Sequence, residues 1–175
     1  MKRKILAFLL LSLVLLTMIG CSNNENSSEG KTDEQIAAVY IQTLGYTIVV
    51  HEGEAVKYTL EQKMLEDLDY MRLWAVQKEE PDAYIGKEIV TYRFTVKDHP
   101  LEQQFSPVDY TISAIVMLVD RKVIGGTSAP KSKIKNLVMV GGEYSLEGKT
   151  LYEIKGMSYS EWLDYWKEKY GKRKE

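Results

Sequence analysis

Histidines and paired carboxylates are the side chains of this sequence whose types suit catalytic or metal chemistry. The only histidines are His51 and His99, and neither has a second histidine or a cysteine at ligand spacing. Zinc sites use several such ligands, so the sequence predicts no metal site. Acid pairs such as Glu79 and Glu80 suit glycoside hydrolysis only when two carboxylates face each other across a cleft. Adjacent acids are more typical of a solvated helix surface.

The segment from Gly142 to Thr150 is nearly a phosphate-binding loop. Such a loop needs four residues between its glycines so that successive backbone N–H groups converge on the phosphates. Here five residues separate Gly142 from Gly148, and Glu143 and Glu147 would place negative charge beside the ligand. The pattern therefore indicates an ordinary loop before a capped helix, and we expect no nucleotide.

Cys21 is the only cysteine, and it follows a segment with the composition of an export signal. Three cations precede an apolar run from Ile5 to Ile19, which is shorter than the roughly 20 residues of a membrane-spanning helix. The phrase Met18-Ile19-Gly20-Cys21 resembles the lipobox of bacterial lipoproteins. The resemblance implies that residues 1–20 are removed as a signal peptide. It also implies that Cys21 carries a diacylglyceryl thioether, with fatty acyl chains such as palmitate, on the extracytoplasmic face of the cell membrane.

The remaining chain is mildly acidic. Residues 21–175 carry 20 Lys and Arg against 25 Asp and Glu, a net charge of −5, so no nucleic-acid partner is expected. With its single cysteine assigned to lipid, the chain has no disulfide or thiol chemistry, and we expect no cofactor. Residues 21–32 hold the lipidated cysteine and a flexible tether without aliphatic or aromatic side chains after Cys21. Residues 33–171 are predicted to form one domain, and residues 172–175 a frayed tail.

Capping boxes predict where the helices begin. Thr32-x-x-Gln35 precedes a helix from Asp33 to Leu44, and Ser158-x-x-Glu161 precedes a final helix that ends at Gly171. Thr59-x-x-Gln62 predicts a single longer helix whose apolar stripe runs to Ala75. A short helical turn is predicted after Thr150 and before Gly156.

Alternating apolar and polar residues predict the sheet. The stretch from Lys87 to Lys97 alternates strictly, and the stretch from Val108 to Val119 becomes apolar on both faces near its end, where we expect a covering helix. Asp120-Arg121-Lys122 predicts a hairpin turn, and Gly125-Gly126 a bulge or a strand end. The remaining predictions are strands at 46–50 and 55–58 around a turn at 51–54, a strand at 123–127, a basic loop at 131–135 and a strand at 137–140.

The fold class that follows is α+β. We expect a mainly antiparallel sheet of four to five strands, packed by two N-terminal helices and a C-terminal aromatic helix.

A resemblance covers roughly residues 33–128. Its phrases include Tyr84-Ile85-Gly86-Lys87, Tyr92-Arg93-Phe94-Thr95-Val96 and Ala114-Ile115-Val116-Met117-Leu118-Val119. In this order they resemble an uncharacterised domain family of small exported proteins and lipoproteins in Gram-positive bacteria. The resemblance departs after Gly126, where Thr127-Ser128-Ala129-Pro130 stands. It implies a fold unit and a location, and it supplies no catalytic residue.

The aromatic side chains of the final helix have two interpretations. Tyr159, Trp162, Trp166 and Tyr170 recur on one stripe. Either the stripe packs on the open face of the sheet, or part of it lines a groove for a partner, because Trp and Tyr dominate binding hot spots. Burial of both tryptophans would exclude the groove.

The predicted function is a non-enzymatic envelope lipoprotein that binds another protein or a cell-wall component. One alternative is a hydrolase acting on an envelope substrate, which would need a histidine in a cleft beside a carboxylate or serine. A further alternative is a cup between sheet and helices that binds a small ligand, which needs a deep pocket with inward polar groups.

Overall fold

The structure, a computed structural model, describes residues 30–134 and 142–171. It has a five-stranded antiparallel sheet with helices on both faces, which confirms the α+β class. The signal peptide, Cys21, most of the tether, the strand predicted at 137–140 and the tail at 172–175 lie outside the described residues. The strands stand side by side in chain order. The elements are α1 (Asp33–Thr43), β1 (Thr47–Thr59), α2 (Leu68–Ala75), β2 (Glu88–Lys97), β3 (Tyr110–Val119), β4 (Lys122–Ser132), β5 (Tyr144–Ser145), α3 (Leu151–Lys155) and α4 (Tyr159–Tyr170), with 3₁₀ helices at Gln62–Glu66, Pro81–Tyr84 and Pro100–Gln103.

Helix α1 covers one face of the sheet. It begins with the predicted capping box, in which Thr32 and Gln35 exchange hydrogen bonds between side chain and backbone. Its buried residues pack on inward side chains of β2 and β3, as the alternation in those strands predicts. We call this the first core; it contains Ala37, Ile41, Tyr46, Phe94, Val96, Leu101, Ile112, Ala114, Val116, Leu118 and Leu146.

The second face is covered over only part of its area. The 3₁₀ helix Gln62–Glu66 and helices α2 and α4 pack there, over Met117 and Val119. This confirms that the apolar end of β3 needs a covering helix on its second face. We call this the second core; it contains Leu60, Leu65, Met71, Trp74, Ala75, Tyr84, Ile89, Met117, Val119, Trp162, Trp166 and Tyr170.

The hairpin between β3 and β4 is confirmed. Asp120 and Arg121 both have left-handed backbones, with φ of 50° and 63°, which suits the tight turn of a two-residue hairpin. Met117 pairs with Gly125 and Leu118 with Val123, so Ile124 is an extra residue in β4. The predicted bulge therefore lies beside the double glycine. Strand β4 then continues to Ser132, into the predicted basic loop.

The turn predicted at residues 51–54 is wrong. Strand β1 runs without interruption over 13 residues and pairs with β2 throughout, with three register shifts. Each shift absorbs one extra residue as a bulge, and Gly53 supplies a left-handed φ of 82°. The Thr91 hydroxyl fastens the last bulge, because it accepts from the Val56 N–H at 2.9 Å and donates to the Val56 carbonyl at 3.0 Å.

The single long helix predicted after Thr59 is also wrong. Thr59 ends β1, and Leu60 donates to the Lys87 carbonyl and accepts from the Gly86 N–H, just before β2. A 3₁₀ helix follows, and at Asp67 the backbone is extended while its side chain accepts from the Asp69 N–H at 2.9 Å. This N-cap begins a separate helix, α2, so the predicted apolar stripe is divided between two short helices.

Candidate functional site

The aromatic stripe of α4 lies mostly in the second core. Trp162, Trp166 and Tyr170 are only 1%, 3% and 4% exposed, whereas Tyr159 is 50% exposed. For these three rings, the structure therefore agrees with the interpretation in which the stripe packs on the sheet.

Hydrogen bonds hold the buried rings in place. The Trp162 indole donates to the Met71 carbonyl at 3.1 Å, and the Trp166 indole donates to the Leu65 carbonyl at 2.6 Å. The Tyr170 hydroxyl donates to the Asp82 carboxylate at 2.5 Å. A partner could reach these side chains only if α4 left the sheet, which excludes them as a binding surface on this fold. Interpreting them as partner-binding residues is therefore wrong.

His99, just before the 3₁₀ helix Pro100–Gln103, is a buried structural residue. Its Nε2 lies 3.0 Å from the Leu146 carbonyl and its Nδ1 accepts from the Leu101 N–H at 3.1 Å. Tyr46 donates to the same Leu146 carbonyl, and its ring centroid lies 4.6 Å from that of His99. With one nitrogen donating and the other accepting, the imidazole is neutral, and burial lowers its pKa below the ordinary value.

We expect acidification to destabilise the fold through His99. Because the folded-state pKa is lowered, the unfolded chain binds more protons below about pH 6.5, so stability is lost as the pH falls from that value. Thermal unfolding of the wild type and of His99→Gln at about pH 7.5 and about pH 5.5 measures this, and the variant should lose less stability on acidification. An unchanged response in His99→Gln would contradict the assignment.

The other candidate chemical groups are dispersed. His51 is exposed on β1, with Nδ1 3.3 Å from a Glu34 carboxylate oxygen. In the segment that resembles a phosphate-binding loop, Glu147 accepts from Lys78 at 2.8 Å and from the Ser145 hydroxyl at 2.9 Å. The segment thus presents a negatively charged carboxylate, whereas a bound phosphate would need N–H donors.

A groove lies on the second face of the sheet, beside the helices that cover the rest of that face. It has a volume of about 380 Å³ and is bordered on one side by α2. We call it the sheet groove; the residues that line it come from β1 (Ala55, Val56, Tyr58), α2 (Asp69, Tyr70, Leu73), β2 (Thr91, Arg93), β3 (Ile115, Met117), β4 (Thr127) and the segment before β5 (Glu143).

Strand register orders the floor of the sheet groove into two rows. Met117 pairs with Thr91, and Thr91 with Val56, which makes the row nearer α2 mainly apolar. Ile115 pairs with Arg93 on one side and with Thr127 on the other. Since neighbouring strands lie about 4.8 Å apart, the backbones of Arg93 and Thr127 are separated by about 10 Å, with Ile115 between them.

Polar atoms of the sheet groove are left without partners. Of the described residues, only Tyr58, Trp74 and Arg93 have a buried side-chain polar atom with no hydrogen-bond partner, and Tyr58 and Arg93 border this groove. Within residues 30–134 and 142–171, Arg93 also forms no ion pair. Unpaired buried polar groups are costly, so this is where the fold lacks a complementary group.

The two acids of the groove differ in their surroundings. Asp69 is highly exposed and pairs with Arg72 at 3.7 Å. Glu143 contacts the buried Thr127 hydroxyl, and burial raises the pKa of its carboxyl group against the effect of that hydrogen bond. Because the residue as a whole is exposed, water limits this rise.

Sequence reasoning missed this groove for a physical reason. The alternation in β2 correctly places Thr91 and Arg93 opposite the first core, but it cannot show that no described carboxylate pairs with Arg93. Tyr58, in the segment predicted as a strand at 55–58, and Tyr70, on α2, meet edge to face with centroids 5.7 Å apart, a contact that no local pattern shows. The apolar residues that continue at Ile115 and Met117 were the available signal.

No protein-family model, curated protein or solved structure matches this chain. The resemblance to an uncharacterised family of exported proteins therefore stays a prediction. Across residues 30–134 and 142–171, no helix has the length and apolar character to cross a membrane. The same residues include no cluster of three or more histidine, cysteine, aspartate or glutamate side chains that could hold a metal.

Proposed function

We propose that this chain is a lipid-anchored binding protein of the extracytoplasmic face, and that the sheet groove is its binding surface. The observation that carries the proposal is the combination, in one groove, of apolar floor residues with the unpaired guanidinium of Arg93. Small-molecule sites have volumes of about 300–1,000 Å³ and a few polar groups on mainly apolar walls, and the 380 Å³ groove has this character. This favours the small-ligand alternative over a partner surface on α4.

The anchor rests on the sequence. The lipobox-like Met18-Ile19-Gly20-Cys21 supports lipid on Cys21, and two or three acyl chains on one residue hold a protein stably at a membrane. The composition of residues 22–32 supports a tether between that lipid and α1.

Cys21→Ser is expected to abolish membrane attachment. Without the sulfur no thioether forms, so the protein should lose its lipid-bearing N-terminal peptide and shift out of the lipid-anchored membrane fraction. Mass spectrometry of the N-terminal peptide and detergent phase partitioning measure both effects. Ser22→Ala is the matched control and should stay lipidated. A wild-type N-terminus without lipid on Cys21 would contradict the anchor.

A photo-crosslinking residue at Val56 is expected to capture whatever occupies the sheet groove in intact cells. Val56 is 53% exposed at the groove, and Val108, which is 78% exposed and does not line it, is the matched control position. Mass spectrometry of the purified protein should show an adduct of defined mass at position 56 and none at position 108. Equal labelling of both positions, or labelling of neither, would contradict a binding role for the groove.

A further inference from the structure

The geometry points to a small amphipathic organic anion as the ligand of the sheet groove, with its carboxylate at Arg93 and its apolar body along Ile115 and Leu73. This inference rests on the proposed binding function and deepens it, because it names the ligand class.

The charge of Arg93 is the first argument. The residue is only partly exposed, its Nε is buried without a hydrogen-bond partner, and none of the ion pairs among the described residues includes it. A guanidinium that is only partly hydrated, with its Nε withdrawn from water, is stabilised by an opposite charge. A carboxylate suits it because two parallel N–H···O bonds match the planar fork of arginine.

The distribution of apolar surface is the second argument. Arg93 stands in the row that runs through Ile115 to Thr127, whereas Met117 stands in the adjacent row, which is nearer α2. Leu73 borders the groove from α2. A ligand whose charged end lies at Arg93 can therefore place an apolar chain or ring along Ile115 and toward α2. An inorganic anion would leave this surface uncovered, and a purely apolar molecule would leave the guanidinium unpaired.

The acids at the groove do not favour a cationic ligand instead. Asp69 already has Arg72 as a partner and is mostly in water. Glu143 contacts the Thr127 hydroxyl, and the Thr127 backbone lies about 10 Å across the sheet from that of Arg93 by strand spacing. Its carboxyl group is partly buried and so holds its negative charge less readily than one in water.

The test is photoaffinity labelling of the full chain in isolated membranes. The probe is a medium-chain carboxylate that carries a diazirine and a terminal alkyne, and the matched probe is the primary alcohol of the same chain. We expect the carboxylate to label the wild-type protein on peptides that contain Ile115 or Leu73, and decanoate to compete for labelling where decan-1-ol does not. Arg93→Gln should raise the decanoate concentration needed for half-maximal competition by about 10- to 100-fold, the usual value of a hydrogen bond to a charged group.

Glu143→Gln makes the opposite charge change in the same groove, because it removes a negative charge where Arg93→Gln removes a positive one. It should strengthen carboxylate labelling, and Arg93→Lys should keep part of it. Circular dichroism of each variant must show the wild-type unfolding midpoint, so that a loss of labelling does not come from a loss of folding. If Arg93→Gln unfolds earlier than the wild type, labelling of Arg93→Lys and Glu143→Gln tests the inference instead.

Three results would overturn the inference: equal labelling by alcohol and carboxylate, labelling abolished by Glu143→Gln, or competition only by a peptide with a free C-terminus. Any of these, together with a persistent adduct at Val56, would leave the proposed binding function standing with another ligand. Absence of both the labelling and the Val56 adduct would overturn the two proposals together.

Discussion

Trp162→Ala is expected to lower the free energy of unfolding by about 3–5 kcal/mol, the usual cost of removing a large aromatic side chain from a core. Trp162 is 1% exposed, and its ring centroid lies 5.3 Å from that of Trp166. The substitution would open a cavity between α2 and α4. It would also leave the Met71 carbonyl without the indole N–H that now donates to it at 3.1 Å.

Denaturant unfolding followed by far-ultraviolet circular dichroism measures this effect. Tyr159→Ala, on the same helix at a half-exposed position, is the control and should change the free energy of unfolding by no more than about 0.5 kcal/mol. Similar losses in the two variants would mean that α4 does not pack on the sheet as described.

Gly126→Ala is expected to lower the free energy of unfolding by about 2–5 kcal/mol, because β4 has no space for a side chain there. A Cβ at this position would overlap the Ile115 carbonyl oxygen on the paired strand and lie 2.9 Å from a methyl of Leu146. Moving the strand would also break the two hydrogen bonds that join Gly126 to the buried Gln77 amide, at 2.9 and 3.1 Å.

Gly142→Ala is the matched control for this substitution. Apart from its chain neighbours, no atom of residues 30–134 and 142–171 lies within 4 Å of the Cβ that it would add, and Gly142 is not among the glycines with positive φ. It should therefore leave the free energy of unfolding within about 0.5 kcal/mol of the wild-type value. A small effect of Gly126→Ala would show that β3 and β4 can separate locally at little cost.

Short sequence motifs correctly predicted the helix ends that are formed by hydrogen bonds between residues close in the chain. The capping boxes at Thr32, Thr150 and Ser158 are all formed, and Gly156 ends α3 in a left-handed conformation. The change of β3 from one apolar face to two correctly indicated a covered end.

Long-range pairing determined what the sequence could not show. The segment at residues 51–54 has turn-like composition, yet ten pairings with β2 hold β1 extended and take up the extra residues as bulges. The apolar stripe from Leu60 to Ala75 predicts one helix. In the structure, Leu60 forms backbone hydrogen bonds with Gly86 and Lys87, just before β2, and Asp67 caps a separate helix. The candidate groove depends on both outcomes, since Tyr58 lies on the strand that continues past residues 51–54 and Tyr70 lies on the helix that Asp67 caps.

The second core contains Trp74, Trp162 and Trp166, which are all the tryptophans of the chain, whereas the first core contains none. Indole emission therefore reports solvent access on one side of the sheet only. If α1 detached from the opposite side, the emission spectrum would change little while the peptide dichroism at 222 nm fell. Coincident fluorescence and dichroism midpoints would thus show that the two sides unfold as one cooperative unit.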